Sequence, residues 1–340
     1  MAYPTNLMDF CHKKIMNIQK KFNILSIDFD FFQDVSKDTM SRYYPDGIDL
    51  GTEISKFVWA GYYANPNSSK HLEKVGILYK EYNTLKEILM NNTSKNIPIL
   101  IANSHFNIYK FIHENYDKAK NKDKKINLIN IDMHHDMFNN DKSVDCGNWL
   151  NYIIKDYSEN NLNKLNIQWI ANPISYDCFD LNKEIENIIL KQTKQLNESK
   201  NIKKYKKYKE ITALEQLENL NQKIIKDNYK FDLIFLCRSD TWLPPHLDKY
   251  FEEIVSLMIC EYSNVVAENH VLYCRDIDEI VKKEKEIYKD IKKNQRNSHL
   301  YWLFLFYFSI FLHTFATFKS PMFRNNTIKW YNNSVIKIKK

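Results

Sequence analysis

Short apolar runs alternate with longer segments of helical periodicity along most of this chain. Compact runs rich in Ile, Leu and Phe predict buried strands, at residues 23–29, 97–102, 126–131, 167–171 and 231–237. Between the strands, the spacing of apolar residues predicts helices at 71–90, 106–118, 147–154, 182–226 and 246–260. This alternation is typical of an α/β fold with a mostly parallel sheet.

The chain is predicted to form one large domain followed by a tail. No internal repeat and no linker rich in Pro, Gly or Ser divides residues 1–290, which we assign to the domain. The tail, 291–340, contains an uncharged apolar segment at 300–318 that is just long enough to span a bilayer as a helix. Its polar residues are spaced by four, as on one helix face. The segment therefore predicts either a membrane contact or a helix that is buried or forms an oligomer interface.

Composition removes several classes of protein. The chain has only 5 glycines, which cannot be assembled into a G-x-G-x-x-G or Walker A phosphate loop. Gly147 is the sole glycine after Gly76. We therefore expect its backbone to adopt a conformation, or to approach neighbouring atoms at a distance, that other residues resist. The net charge of +7 includes a basic run at 200–209 that is typical of a solvated helix face, so no nucleic-acid partner is predicted.

The cysteines and the amino terminus indicate a compartment. The 6 cysteines are scattered and contain no C-x-x-C pair, and residues 1–20 resemble an amphipathic helix rather than a signal peptide. We therefore expect free thiols and a cytoplasmic protein, with membrane association through 300–318 as the open alternative.

Residues with metal-binding side chains follow three of the predicted strands. The first strand ends in a D-x-D pair, the second is followed by a histidine, and the third ends in D-x-H-x-D. Carboxyl ends of parallel strands meet at one edge of a sheet, and buried carboxylates are costly unless a positive charge neutralises them. The sequence therefore predicts a metal site formed by Asp28, Asp30, His105, Asp132, His134 and Asp136.

The donor set indicates which metal would bind. Carboxylates and imidazoles without thiolates favour Mn²⁺ over Zn²⁺. Six ligands are too many for one catalytic metal that keeps open positions, so they predict two Mn²⁺ ions bridged by hydroxide. Asp132, His134 and Asp136 are the residues predicted to activate that hydroxide.

Other polar residues near these strands have weaker assignments. His135 should point away from the ligands and serve the structure. Asn148 and Asp240 are candidate substrate-binding residues. An internal ion pair explains the presence of Arg238 and Asp240 equally well. Residues 268–270 are predicted to form a turn before a strand.

The metal motifs resemble those of the ureohydrolases, the arginase and agmatinase family. That family has a strand-end histidine, D-x-H-x-D and S-x-D-x-D, although in this chain S-x-D-x-D at 26–30 comes first. The changed order departs from ordinary free-arginine arginases. With I-D-F-D-F-F at 27–32, C-G-N-W at 146–149 and C-R-S-D-T-W-L-P-P at 237–245, the chain resembles the peptide-arginase branch over residues 23–276.

The resemblance implies an arginase-like three-layer αβα sandwich with two Mn²⁺ ions. It implies conversion of arginine to ornithine in a ribosomally made precursor peptide, with release of urea. One metal would be held by His105, Asp132, Asp136 and Asp28, the other by Asp132, His134, Asp28 and Asp30. Two alternatives stay open: another metal-dependent C–N hydrolase of the arginase or deacetylase fold, and a non-catalytic membrane-tethered binding protein with a structural metal site.

Overall fold

The computed structural model describes residues 21–45, 49–116, 124–138, 143–158, 165–178, 212–294 and 335–338. The predictions for 1–20, 200–209 and 300–318 lie outside these ranges, as does most of the helix predicted at 182–226. Among the helices of the described ranges, none combines the length and apolar character that a bilayer crossing needs.

Six parallel strands and one antiparallel edge strand form the central sheet. All five predicted strands are present, which confirms an α/β fold with a mostly parallel sheet. The sheet order is β6-β5-β1-β7-β4-β8-β9, with β9 antiparallel to β8, and β2 pairs with β3 in a separate ribbon. The strands are β1 Lys21–Asp28, β2 Gln33–Asp34, β3 Gly76–Ile77, β4 Ile99–Ala102, β5 Lys125–Asp132, β6 Leu165–Ala171, β7 Leu233–Cys237, β8 Val265–Glu268 and β9 Val335–Ile338.

Ten α-helices accompany these strands within the described residues. Their bounds are α1 Lys37–Tyr43, α2 Gly51–Ala64, α3 Pro66–Leu72, α4 Tyr79–Asn91, α5 Asn107–Tyr116, α6 Trp149–Ser158, α7 Ser175–Cys178, α8 Ala213–Asp227, α9 Asp248–Glu261 and α10 Asp278–Asn294. Short 3₁₀ turns occur at Phe29–Phe32, Pro245–Leu247 and Asn269–Val271.

Several predicted boundaries were wrong. The helix predicted at 71–90 is two helices, because the chain turns after Leu72, where the amide of Val75 donates to the carbonyl of Leu72 at 2.9 Å. The turn at 268–270 follows strand β8 rather than preceding a strand. Helices α1, α2, α7 and α10 were not predicted. α1 begins with a local signal, since the Ser36 hydroxyl accepts from the amide of Thr39 at 3.2 Å.

Apolar side chains cover both faces of the sheet. In β7, Ile234 and Leu236 belong to one buried cluster, whereas Leu233 and Phe235 belong to the other. Helices α4, α8 and α9 contribute to the first cluster, and α5 and α6 to the second. The result is a three-layer arrangement of helix, sheet and helix, which explains why the β7 sequence is almost continuously apolar.

The strand register positions the candidate metal ligands. Asp28 pairs with Cys237 across β1 and β7, and Ala102 pairs with the same cysteine across β4 and β7. Ile27 pairs with Ile131, so the next residues, Asp28 and Asp132, lie side by side. Four neighbouring strands therefore end at one level, at the edge where open parallel sheets bind ligands.

Candidate metal centre

The structure brings all six predicted ligands together at this edge of the sheet. Nδ1 of His105 lies 3.2 Å from Oδ2 of Asp28, 3.2 Å from Oδ2 of Asp132 and 2.8 Å from Oδ2 of Asp136. One imidazole nitrogen thus faces three carboxylates that come from two different strand ends.

A second histidine faces the remaining acid. Nδ1 of His134 lies 3.1 Å from Oδ2 of Asp30 and 3.9 Å from Oδ1 of Asp132. Two sets of potential ligand atoms result, each lying within 4.8 Å of one another. The sets are Asp28, His105 and Asp132, and Asp30, Asp132 and His134. Asp132 belongs to both, as a bridging carboxylate of a two-metal centre would.

Three further side chains hold the candidate ligands in place. The Ser26 hydroxyl lies 2.7 Å from Nε2 of His105, and the Ser239 hydroxyl donates to Oδ2 of Asp28 at 3.2 Å. The indole Nε1 of Trp149 donates to Oδ2 of Asp136. Partners of this kind fix the orientation of metal ligands. The sequence placed Ser26, Trp149 and Ser239 in motifs but gave none of them a role.

Two backbone positions beside the centre adopt left-handed conformations. Asp136 has φ 52° and Ser239 has φ 59°, and neither is glycine. Such conformations cost free energy that the surrounding structure must offset, and they concentrate at functional sites. In both cases the unusual backbone carries a side chain that belongs to the centre or contacts one of its ligands.

The centre opens to solvent at His134. The side chain of His134 is 16% exposed, whereas those of the other five candidate ligands are at most 5% exposed. The ring of Trp242 packs beside it with a centroid separation of 5.5 Å. A molecule from solvent would therefore approach past His134 and Trp242.

Burial and mutual repulsion perturb the carboxylates. Burial, followed by the neighbouring charge of Asp30, raises the pKa of Asp28 to about 7. Burial and then Asp136 raise the pKa of Asp132 well above its usual range. Four acids in a water-poor site cannot all ionise without a compensating positive charge.

The pKa values of the two histidines are raised as well, which favours their charged forms. Burial alone would lower the pKa of His134, but Asp30 and then Asp132 outweigh it and raise the value to about 9. Burial likewise opposes the rise at His105, where Asp136 is the largest raising influence and the pKa ends well above its ordinary value. In the metal-free chain, protons on these groups supply the positive charge that the carboxylates require.

The residues present fit a divalent cation. Among the described residues, Oδ2 of Asp30 and Nδ1 of His105 are buried ligand-type atoms whose close contacts are with other candidate ligands and lack hydrogen-bond geometry. Buried polar atoms are almost always hydrogen-bonded, so orphaned atoms that face other ligands indicate a missing partner. Four carboxylates and two imidazoles without a thiolate suit a hard to intermediate cation such as Mn²⁺.

The two candidate substrate-binding residues make contacts that serve the structure. Oδ1 of Asn148 accepts from the amide of Asp145 at 2.7 Å, and its Nδ2 donates to the carbonyl of Ser143 at 2.9 Å. Asp240 is fully buried and pairs with Arg238 and the hydroxyl of Thr52. The ion-pair interpretation of Arg238 and Asp240 therefore describes the structure, and a substrate role for Asn148 or Asp240 stays a prediction.

His135 and Gly147 complete the surroundings. Nδ1 of His135 accepts from the amide of Met137 at 3.0 Å, and its ring packs on Phe138, so this histidine supports the loop. Gly147 does not have the positive φ that favours glycine. A Cβ atom there would lie 3.1 Å from Cδ2 of Phe138, so close approach is the constraint.

Comparison of the chain with models of protein families, with curated proteins and with solved structures gives no match.

Proposed function

We propose that this protein is a binuclear manganese-dependent hydrolase of linear amidines with an arginase-like fold. The observation that carries the proposal is the pair of ligand sets that share Asp132 at the carboxyl edge of a parallel sheet. Two metals held a few ångströms apart form a recurrent hydrolytic device.

The proposed substrate is an arginine side chain within a ribosomally made precursor peptide. Water adds to the guanidinium carbon, the bond from this carbon to Nε breaks, and the amine leaves protonated, so arginine becomes ornithine and urea is released. When bound, the metal pair would supply a water molecule of lowered pKa and a Lewis acid at the reacting carbon. The motifs at 146–149 and 237–245, which resemble those of peptide arginases, support the choice of a peptide.

The residues around the centre have separate roles in the proposed reaction. Ser26 and Ser239 orient His105 and Asp28, and Trp149 orients Asp136. Ligands held in this way need little reorganisation as charge develops in the transition state. Trp242 beside the open ligand His134 provides an apolar wall for the aliphatic part of an incoming side chain.

The full chain, purified with Mn²⁺, tests the proposal. We expect two metals per chain, release of urea from arginine-containing peptides, and a loss of about 42 Da per converted arginine, the mass of CN₂H₂. Asp30→Asn and His134→Ala should each lower the metal content and abolish urea release. Asp38→Asn, which changes an exposed aspartate paired with Arg42, is the matched control and should retain both.

Three results would overturn the proposal in distinguishable ways. If Asp30→Asn and His134→Ala bind as much metal as the wild type, these residues do not form a metal site. Two bound metals with hydrolysis of other amidines or amides but no urea would indicate a different C–N hydrolase. Two bound metals without hydrolysis of any of these substrates would indicate a structural site in a binding protein.

A further inference from the structure

An arginine side chain brings a permanent positive charge to the site. The four acids of the centre are assigned to metals, so selective binding of the substrate cation calls for a carboxylate outside that set. Such a carboxylate must lie beside the centre and must not already be paired with a cation, since a charge-assisted hydrogen bond forms only with an available acceptor.

Asp49 lies at this position, two residues before helix α2 begins at Gly51. Its Oδ1 accepts from the amide of Gly51 at 3.1 Å and from the hydroxyl of Thr241 at 3.0 Å. Burial raises the pKa of Asp49, and the side chain of Ser104, the residue before His105, is the largest influence that opposes this rise. Thr241 lies two residues after Ser239, which contacts Asp28. Asp49 is therefore linked to the neighbours of two candidate metal ligands.

The donors around Asp49 are neutral. One amide and one hydroxyl fill two of the roughly four acceptor positions of the carboxylate, both on Oδ1. Among the described residues, no Lys, Arg or His lies within ion-pairing distance of Asp49. The side chain is only partly buried. These contacts hold the carboxylate in one orientation without neutralising its charge.

Two other carboxylates near this edge already face a basic side chain. Asp240 is paired with Arg238, and Oε2 of Glu268 lies 3.3 Å from Nε2 of His270. A third, Asp145, accepts from the amide of Gly147 at 3.0 Å within its own loop and therefore serves as the control below.

We infer that Asp49 binds the cationic end of the substrate side chain and sets the preference for a positively charged residue. This inference rests on the proposed function, because the substrate class is the one proposed above. It assigns a substrate-binding role to a residue that the sequence did not single out.

Binding of peptides that cannot react separates this role from turnover. The probes are two peptides with the same flanking sequence, one carrying lysine and the other norleucine at the target position, and neither contains an amidine. We expect the Mn²⁺-loaded wild type to bind the lysine peptide about 10–100-fold more tightly, as one charge-assisted contact allows. Asp49→Asn keeps the size of the side chain and an acceptor oxygen for Gly51 and Thr241, and should bring this ratio close to one.

Two further measurements complete the test. Asp49→Asn should retain the wild-type metal content and raise the KM for an arginine peptide more than it lowers kcat. Asp145→Asn removes a nearby charge while keeping an acceptor for Gly147, and this control should keep the lysine preference. A lysine preference that persists in Asp49→Asn, or is lost equally in Asp145→Asn, overturns the role of Asp49 and leaves the proposed function intact. Absence of urea release by the wild type contradicts the proposed function instead.

Discussion

The Oγ atom of Ser26 lies 2.7 Å from Nε2 of His105, and this contact leaves Nδ1 of the ring facing three carboxylates. The imidazole also stacks parallel to the ring of Phe235, with a centroid separation of 5.5 Å. A hydrogen bond at one nitrogen and a ring contact on one face fix the orientation of a ligand. Ser26 belongs to the S-x-D-x-D motif, so the motif supplies both a support for His105 and two of the acids.

Replacing Ser26 by alanine should weaken metal binding without removing a ligand. Loss of a hydrogen bond that orients a ligating histidine typically lowers metal affinity by about 10–100-fold. Titration with Mn²⁺ measures this change, and Ser41→Ala on the exposed face of α1 is the control. Unchanged affinity in Ser26→Ala would mean that His105 is held by its other contacts or is not a ligand.

Metal binding should release protons near neutral pH. In the metal-free chain the pKa of His134 is about 9 and that of Asp28 about 7, so both carry protons over much of the neutral range. A cation binds the deprotonated ligands, and its affinity should therefore rise as the pH increases from about 6 to 9. Calorimetry in buffers of different ionisation enthalpy counts the protons, and a value of zero at pH 7 would contradict the ligand assignment.

The buried pair of Arg238 and Asp240 should be important for stability. Arg238→Leu leaves Asp240 without its closest cation, and breaking a buried pair in this way costs about 3–5 kcal/mol in the free energy of unfolding. Arg42→Leu is the matched control, because its ion pair with Asp38 is exposed and contributes less than about 1 kcal/mol. Urea denaturation of both variants gives the comparison, and equal losses would show that Arg238 is not specially required.

The same pair predicts how stability depends on acid. Burial alone would raise the pKa of Asp240, but Arg238 and then Arg275 outweigh it and lower the value to about 2. A pKa below the unfolded value of 3.8 means that ionised Asp240 stabilises the fold above about pH 4. That contribution is lost as the pH falls from about 4 to 2. In Arg238→Leu, acid unfolding should begin at a higher pH than in the wild type, as circular dichroism would record.

Two glycines should respond in opposite ways to alanine. At Gly147 the added Cβ atom would lie 3.1 Å from the ring of Phe138, so that ring must move and we expect a loss of up to about 1 kcal/mol. Within helix α2, no neighbouring atom lies within 4 Å of a Cβ added at Gly61. Alanine there should stabilise the protein by about 0.5–1 kcal/mol. Thermal unfolding of the two variants tests this contrast, which would be contradicted by shifts of the same sign.

The sequence by itself determined the elements with strong local signals. The apolar runs located five sheet strands because parallel strands covered on both faces must be apolar throughout. Polar metal-binding residues at the ends of three of those runs stood out against that pattern. Helix α2 and the four-residue strand β8 were missed, since their stability depends on packing and pairing more than on their own patterns.

Only the tertiary structure decided how these pieces meet. Strand order and register bring Asp28, Asp132 and His105 to one edge, although more than 100 residues separate the first two along the chain. Folding also placed Arg238 beside Asp240 in a buried pair and left Asp49 among neutral donors. The neighbouring pair of Arg238 and Asp240 could be anticipated from the sequence, and the fold decided its burial. The surroundings of Asp49 are not encoded locally, because Thr241, which donates to it, lies 192 residues away along the chain.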